Sequence, residues 1–584
     1  MSRSLMICGA VAAALLSQTV AQAQADPIQN YQPVTNERLL EPEPENWLNY
    51  RNTYNGWGYS ELSQITADNV AELEPVWSFS TGVSEGHEAP PIVNNGVMYV
   101  TTPQAQVIAL DAVTGEEYWR YTRELPEDLS HLHPTNRGVA LYGDKVYVGT
   151  VDTHLVALDA RTGELVWEKA VEGLDYQSGY YITMAPLIVK GKVMIGVSGG
   201  ELGIRGFVQA FDAETGASVW KTYTIPAPGE AGSETWSGDT WQRGGGPVWM
   251  TGTYDPELDL AFWGVGNGAP WIGELRPGDN LYTSSTIALD PDTGELKGHF
   301  QYQPNESWDW DEVVAPLIID YKRDGHTVKG LVHFSRSGYL WFLERGADSL
   351  EFVEAKPYVY QNVFKGVDPV TGRPVVDENH KPNLSKQVSF CPSLWGGRDW
   401  PPEAFNPITR LVYISANENL CQDMAGQEVE YEEGGFYTGG DATLTVRDGW
   451  DHVGEVQAWN VDTGKKAWTH TFEDTTTNWG QMMTTAGNLV FSGGTIDRYF
   501  RAFDATTGDV LWQFKTNSGV YGMPTTFMVD GVQYIAVQSG WGVDGTRMQN
   551  GLAEAIGQPF DTPVPEGGVV WVFALRQSST QAER

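Results

Sequence analysis

An all-β, eight-bladed β-propeller is the fold class this sequence predicts, on three observations. One eleven-residue pattern recurs along the chain, Gly (65) and Trp (23) are abundant in 584 residues, and long helical periodicity is scarce. Fixed-period self-similarity overrides the usual reading of such a length as several domains. The whole chain after its first segment is therefore expected to be one domain, residues 24–584.

The pattern reads Ala109-Leu-Asp-Ala-Val-Thr-Gly-Glu-Glu-Tyr-Trp119, and returns at Ala157–Trp167, Ala210–Trp220, Ala458–Trp468 and Ala502–Trp512. A weaker copy, Ala288–Gly298, lacks the final Trp. Each copy predicts a strand ending in Asp or Asn, a tight turn through Thr-Gly, and a new strand carrying Trp. Gly supplies the positive φ of the turn, and the Asp side chain accepts from the turn amides. Neighbouring copies start about 50 residues apart, the length of one four-stranded blade. The recurring Trp is expected to pack between blades.

Further strands are expected at Gly96–Val100, Lys145–Val148 and Lys192–Ile195, between copies of the pattern. The stretch 298–458 carries degenerate blades, with strands at Leu331–Phe334, Tyr339–Leu343 and Leu411–Ile414. The C-terminal run Val569–Leu575 is expected to close the ring by joining an N-terminal blade, which leaves only short sheet edges.

The N-terminal residues read as an export signal, residues 1–23. Arg3 gives a positive start, Leu5–Leu16 is apolar, and Ala21-Gln22-Ala23 matches a cleavage site. No segment is apolar enough over a sufficient length to span a bilayer. In a Gram-negative bacterium the mature protein would be periplasmic. Removal of the signal takes Cys8 with it and leaves Cys391 and Cys421. In an oxidising compartment such a pair points to a disulfide, with two separate buried thiols as the alternative. No Cys-x-x-Cys-His is present, so no c-type haem is attached to this chain.

With 75 Asp+Glu against 37 Lys+Arg, the net charge of −38 argues against nucleic acid or an anionic membrane surface as partner. It suits solubility, or a basic soluble partner. A nicotinamide or flavin dehydrogenase is disfavoured by the lack of a G-x-G-x-x-G between strand and helix.

The repeated motif resembles the docking motif of the PQQ-dependent (pyrroloquinoline quinone) alcohol dehydrogenases, and the likeness runs over essentially the whole mature chain. It is similar to the soluble methanol and ethanol dehydrogenases, and Cys391–Trp400 is similar to the sorbose dehydrogenase branch. Scaffold propellers of outer-membrane assembly share such turns without any cofactor, so the site residues must discriminate.

The resemblance implies a metal ligand at Glu201, in Ser198-Gly-Gly-Glu-Leu-Gly-Ile-Arg-Gly206, with Ser198, Gly199 and Gly200 beside the quinone. Asn267, in Trp263-Gly-Val-Gly-Asn-Gly-Ala-Pro-Trp271, matches a second ligand through its amide oxygen. Trp249 matches the platform under the planar quinone. In Ser307-Trp-Asp-Trp-Asp311, Asp309 matches the catalytic base and Asp311 the extra acid of lanthanide-type members. Alternate residues of a strand point the same way, so both carboxylates could face one ion. Three carboxylates suit a trivalent cation better than Ca²⁺, although Ca²⁺ also takes oxygen-rich sites. Glu88, Arg137, Thr183 and Arg336 are the implied quinone contacts, together with Asn417, Asn478, Trp479 and Trp541.

One departure stands out. Where typical members carry adjacent cysteines shortly before Asn-Arg-Gly, this chain has His131-Leu132, so another group must cover the second face of the quinone. The implied activity is oxidation of an alcohol, sugar or polyol by hydride transfer to metal-bound PQQ. Electrons would then pass to a separate acceptor such as cytochrome c.

Overall fold

The computed structural model describes residues 27–171, 176–558 and 563–576. The expected export segment 1–23 lies outside the described residues. Among those described, eight antiparallel sheets of four strands follow one another, one of them extended by Tyr59–Ser60. Seven are built from the spans 92–121, 140–170, 187–223, 253–301, 317–357, 404–471 and 483–515. The eighth takes three strands from 525–575 and its outermost strand, Leu73–Ser80, from the opposite end of the chain. Leu73 faces Leu575 and Ser80 faces Val569, so the C-terminal strand joins an N-terminal one as its sequence predicts.

The turns form as the side-chain chemistry requires. The Asp111 carboxylate accepts from the amides of Val113 and Thr114 at 2.9 and 2.8 Å, and Asp159 and Asp290 repeat the arrangement. Consecutive sheets are then joined by a recurring contact. The indole N–H of Trp119 donates to the Ala160 carbonyl at 3.1 Å, Trp167 to Ala213 at 3.2 Å, Trp220 to Pro291 at 3.0 Å and Trp468 to Ala505 at 3.1 Å. Trp77 reaches Ala112 at 3.2 Å and Trp512 reaches Leu73 at 2.9 Å, so the contacts return to their start. The molecule is an all-β propeller.

Two joints lack this indole bond. After Gly298, Phe300 packs against Trp341 and Phe352, with ring centroids 5.6 and 6.3 Å apart. At the next joint the Lys356 ammonium donates to the Gly464 carbonyl at 3.1 Å. Of the elements outside the repeated sheets, two build over one end of the ring. The three-stranded sheet Val388–Phe390, Leu420–Gly426 and Gly440–Val446 is stapled by the Cys391–Cys421 disulfide. The helix Val543–Ala555 packs on its strand Gly440–Val446. No helix among the described residues is long and apolar enough to cross a membrane.

Candidate active site

A cavity of about 420 Å³ opens beneath these two elements. Its floor comes from loops at the ends of repeated sheets and contains Arg137, Thr183, Ser198, Gly199, Glu201, Trp249, Asp309, Asp311 and Arg336. Its upper wall comes from the insertions, with Trp271, Leu394, Trp395 and Phe436 making it largely aromatic. Such a mix of apolar walls and a few convergent polar groups is typical of a small-molecule site.

Glu201 sits on the single turn Gly200–Leu202 that follows the strand Lys192–Gly196. One oxygen each from Glu201, Asp309 and Asp311 lies within 4.8 Å of the others. Burial pushes the Glu201 carboxyl up to about 7, with the Asp311 charge adding to it. Burial, then Glu201 and Asp311, push Asp309 well above the usual carboxylate range. Burial raises Asp311 too, against the pull of Arg336. Three carboxyls held this close and this dry repel one another when ionised, and a cation among them would relieve that repulsion.

The two aspartates converge for a reason other than the one the spacing suggests. Residues 303–316 form a loop, not a strand. Asp309 adopts φ 65°, a left-handed conformation that Asp tolerates better than most residues. The Arg336 guanidinium holds that turn by donating to the Asp309 carbonyl at 3.1 Å. Asp311 accepts from the Asn267 amide N–H at 2.8 Å, a close approach possible because residue 266 is Gly, where a Cβ would collide with the carboxylate.

Asn267 completes the cluster. Its side-chain amide faces Glu201 and Asp309 at 3.3 and 3.0 Å, while its Oδ1 is buried without a hydrogen-bond partner. Three carboxylates, with the Asn267 amide turned over to present its orphaned oxygen in place of its NH₂ group, make an all-oxygen donor set of the kind a hard cation takes. The residues present therefore fit a metal ion.

Around this cluster, Arg137 links several expected quinone contacts. It bonds Thr183 Oγ1 at 2.7 Å and pairs with Glu88 at 2.9 Å, and its guanidinium lies 4.7 Å over the Trp249 ring. Thr183 bonds Ser198 at 3.0 Å. Burial, opposed by Arg137, raises the Glu88 carboxyl to about 7. Glu88, Gly200, Asn267, Asn417, Asn478, Trp479 and Trp541 are not among the residues lining the cavity. Glu88 reaches it through Arg137, and Gly200 abuts Asn267 Oδ1. Asn417 and Asn478 bond one another, the Asn478 amide N–H donating to Asn417 Oδ1 at 2.8 Å. Trp479 and Trp541 pack with Tyr521 in the core behind the cavity.

Where the adjacent cysteines would be, Leu132 lines the cavity and the His131 ring lies tilted beside that of Tyr181, with centroids 6.3 Å apart. His133 pairs with Asp544 of the helix at 3.5 Å. Sequence reasoning missed Asp399 and Trp400. Asp399 forms a buried ion pair with Arg336, and the Arg137 guanidinium also lies over the Trp400 ring, 4.9 Å from its centroid. The helix residues Asp544 and Arg547 were also missed. Arg336 is expected only as a quinone contact, and the insertion that supplies its carboxylate partner carries no repeat to align it by.

The family described as "PQQ: Glucose/ethanol/alcohol dehydrogenase, beta-propeller domain" matches residues 47–354 and 471–535. The quinoprotein alcohol dehydrogenase PedH of Pseudomonas putida is 37% identical over 94% of this chain and 94% of its own length. The lanthanide-dependent methanol dehydrogenase of Methylacidiphilum fumariolicum is 36% identical over 92% of this chain and 93% of its own. Among solved structures, a europium-containing methanol dehydrogenase superposes with a TM-score of 0.86 at 36% identity, covering 92% of this chain and 100% of that one.

Proposed function

The chain belongs to the family of PQQ-dependent quinoprotein alcohol dehydrogenases, and we propose that the cavity is its reaction site, with PQQ beside Trp249 and one lanthanide(III) ion at Glu201, Asn267, Asp309 and Asp311. It oxidises an alcohol. The observation that carries the site reading is the carboxylate cluster at the floor of an aromatic cavity, backed by the orphaned amide oxygen of Asn267.

The bound groups supply two-electron acceptance by the quinone and Lewis-acid polarisation of its carbonyl by the ion. The chain does the rest. Asp309 takes the alcohol's hydroxyl proton on a carboxylate oxygen as the carbon loses hydride. Arg336 holds the Asp309 turn, and Arg137 offers its guanidinium to the quinone's carboxylates. Trp271, Trp395 and Phe436 keep water from the reacting carbon and favour a substrate with an apolar body.

The lanthanide preference rests on charge, since three carboxylates balance a trivalent ion and overcharge a divalent one. The eight sheets are read as eight blades docked through their tryptophans, residues 1–23 as an export signal, and residues 24–584 as the periplasmic enzyme. Its acceptor is a separate protein such as a soluble cytochrome c.

Reconstituting the purified chain with PQQ and either La³⁺ or Ca²⁺, and following dye reduction over a panel of alcohols, tests this reading. Turnover is expected with La³⁺ and little with Ca²⁺, and Asp311→Ala should reverse the preference. Turnover with Ca²⁺ alone would overturn the lanthanide assignment. Asp309→Asn should lower kcat at least about 100-fold while PQQ absorbance is retained. Near-normal kcat in that variant would remove Asp309 from the base role.

A further inference from the structure

We infer that the buried Arg276–Glu306 ion pair is a positioning device that fixes the spacing between the amide and carboxylate ligands, and so sets the ion size the site prefers. The inference rests on the ion site proposed above. Neither Arg276 nor Glu306 lines the cavity, and neither has any exposed side-chain surface.

The pair joins the two loops that carry three of the four ligands. On one side, Arg276 donates to the carbonyls of Pro270 at 2.7 Å and Trp271 at 3.0 Å, just beyond Asn267. A Cβ at Gly268 would collide with the guanidinium, so glycine lets the Asn267 loop lie directly on it. On the other side, the same guanidinium bonds the Glu306 carbonyl and stands 3.5 Å from its carboxylate. Glu306 Oε1 in turn accepts from the backbone N–H groups of Trp308 and Trp310, the two neighbours of Asp309. Those indoles stack with centroids 4.9 Å apart, and the residue between them is the one held at φ 65°. Asn305 adds a strap by donating to the Arg276 carbonyl at 3.0 Å and to Asn280 Oδ1 at 2.9 Å, the same oxygen that Arg276 bonds.

A fully buried ion pair gains little stability over apolar packing, because both charges lose water. What this pair does provide is geometry. A planar fork spans four acceptors on two loops at once, which a lysine ammonium cannot reproduce. The carboxylate at its far end turns the chain so that Asp309 and Asp311 face Glu201. Partners behind metal ligands commonly change affinity about 10- to 100-fold when removed.

Tryptophan-sensitised Tb³⁺ luminescence on the full-length chain reads binding without turnover. Titrations with competing La³⁺ and Lu³⁺ give size preference in the same assay. Glu306→Gln keeps shape and removes charge, and Arg276→Lys keeps charge and removes the fork. Both are expected to weaken Tb³⁺ about 10-fold or more and to flatten the La³⁺/Lu³⁺ discrimination. Asp255→Asn breaks another buried pair, Arg345–Asp255 at 2.6 Å, away from the site and serves as the control for general loosening. Its ion affinity should match the unmodified chain.

If Glu306→Gln does not yield folded protein, Arg276→Lys decides alone. Wild-type affinity and discrimination in the folded pair variants would overturn the inference. So would losses in them that Asp255→Asn reproduces. Asp309→Asn and Asp311→Asn separate the two levels of the argument. If neither weakens Tb³⁺ binding, the ion-site assignment itself fails. If they weaken it and the pair variants do not, only the positioning role fails.

Discussion

His87 illustrates how much of this molecule depends on single buried groups. Its ring is sealed between Thr81 Oγ1, 2.9 Å from Nε2, and the Glu85 carbonyl, 2.8 Å from Nδ1, and it sits against Gly540 and Gly568. Burial pulls its pKa from 6.5 down to about 4. Between those values the unfolded chain binds a proton that the folded chain refuses. Stability therefore rises with pH across that window, and is lost as pH falls from 6.5 toward 4. The shift corresponds to about 3 kcal/mol. Melting temperature against pH should fall steeply below 6.5, and His87→Gln should flatten that limb. An unchanged slope in the variant would assign the acid sensitivity elsewhere.

At the same scale, the site was partly legible from sequence and for definite reasons. Glu201, Asn267, Asp309 and Asp311 stand in short motifs whose glycines and aromatics are themselves required by the geometry, as Gly266 and Gly268 show. The expectation of a strand at 307–311 failed because alternation was read without its neighbour. Glu306, just before the motif, captures two backbone amides and bends the chain into a loop. Asp544 and Arg547 carry no pattern that sequence could flag, and Asp399, although inside the Cys391–Trp400 block, gives no sign there of its partner Arg336.

At the scale of the elements, the Thr-Gly turn and the Trp of the preceding sheet form one unit. A Cβ built on Gly115, Gly163, Gly216, Gly294 or Gly508 would stand 2.5–2.9 Å from an indole carbon of Trp77, Trp119, Trp167, Trp220 or Trp468. The glycine is thus needed twice, for its positive φ and for the flat seat it offers the ring. Gly163→Ala should cost about 2–4 kcal/mol, combining overpacking with an unfavourable φ of 71°. Chemical denaturation measures this directly. A loss under about 0.5 kcal/mol would mean that the joint is loose.

The strong copies of the pattern were readable because turn and Trp lie in one continuous segment. Trp77 was not, because the strand Leu73–Ser80 pairs with Val569–Leu575 and has no turn of its own before it. The turn at Asp368–Gly372 was also missed, since it belongs to a hairpin inserted outside the repeated sheets. In that hairpin Gly372 again lies under an aromatic ring, that of Phe352.

At the scale of the whole molecule, the net charge of −38 governs what approaches the cavity mouth. Phe436, 65% exposed, lies in a segment with exposed Glu428, Glu430, Glu432 and Glu433. Attraction of a basic acceptor to such a surface is screened within about 8 Å at physiological salt. The second-order rate of reduction of a basic cytochrome c should therefore drop several-fold between low and physiological ionic strength. The rate with a neutral dye should not. Equal salt dependence for both acceptors would place electron transfer elsewhere on the surface.

The pairing of Leu73–Ser80 with Val569–Leu575 also decides when the protein can exist at all. Strand by strand, a growing chain can stack sheets in order, but Leu73–Ser80, made early, has no partner until nearly the last residues emerge. A chain lacking Val569–Leu575 would leave Leu73–Ser80 without a partner and one edge of Val532–Ser539 bare. The terminal strand thus acts as a latch, and a chain truncated before Val569 is expected to be cut by added protease faster than the full-length one.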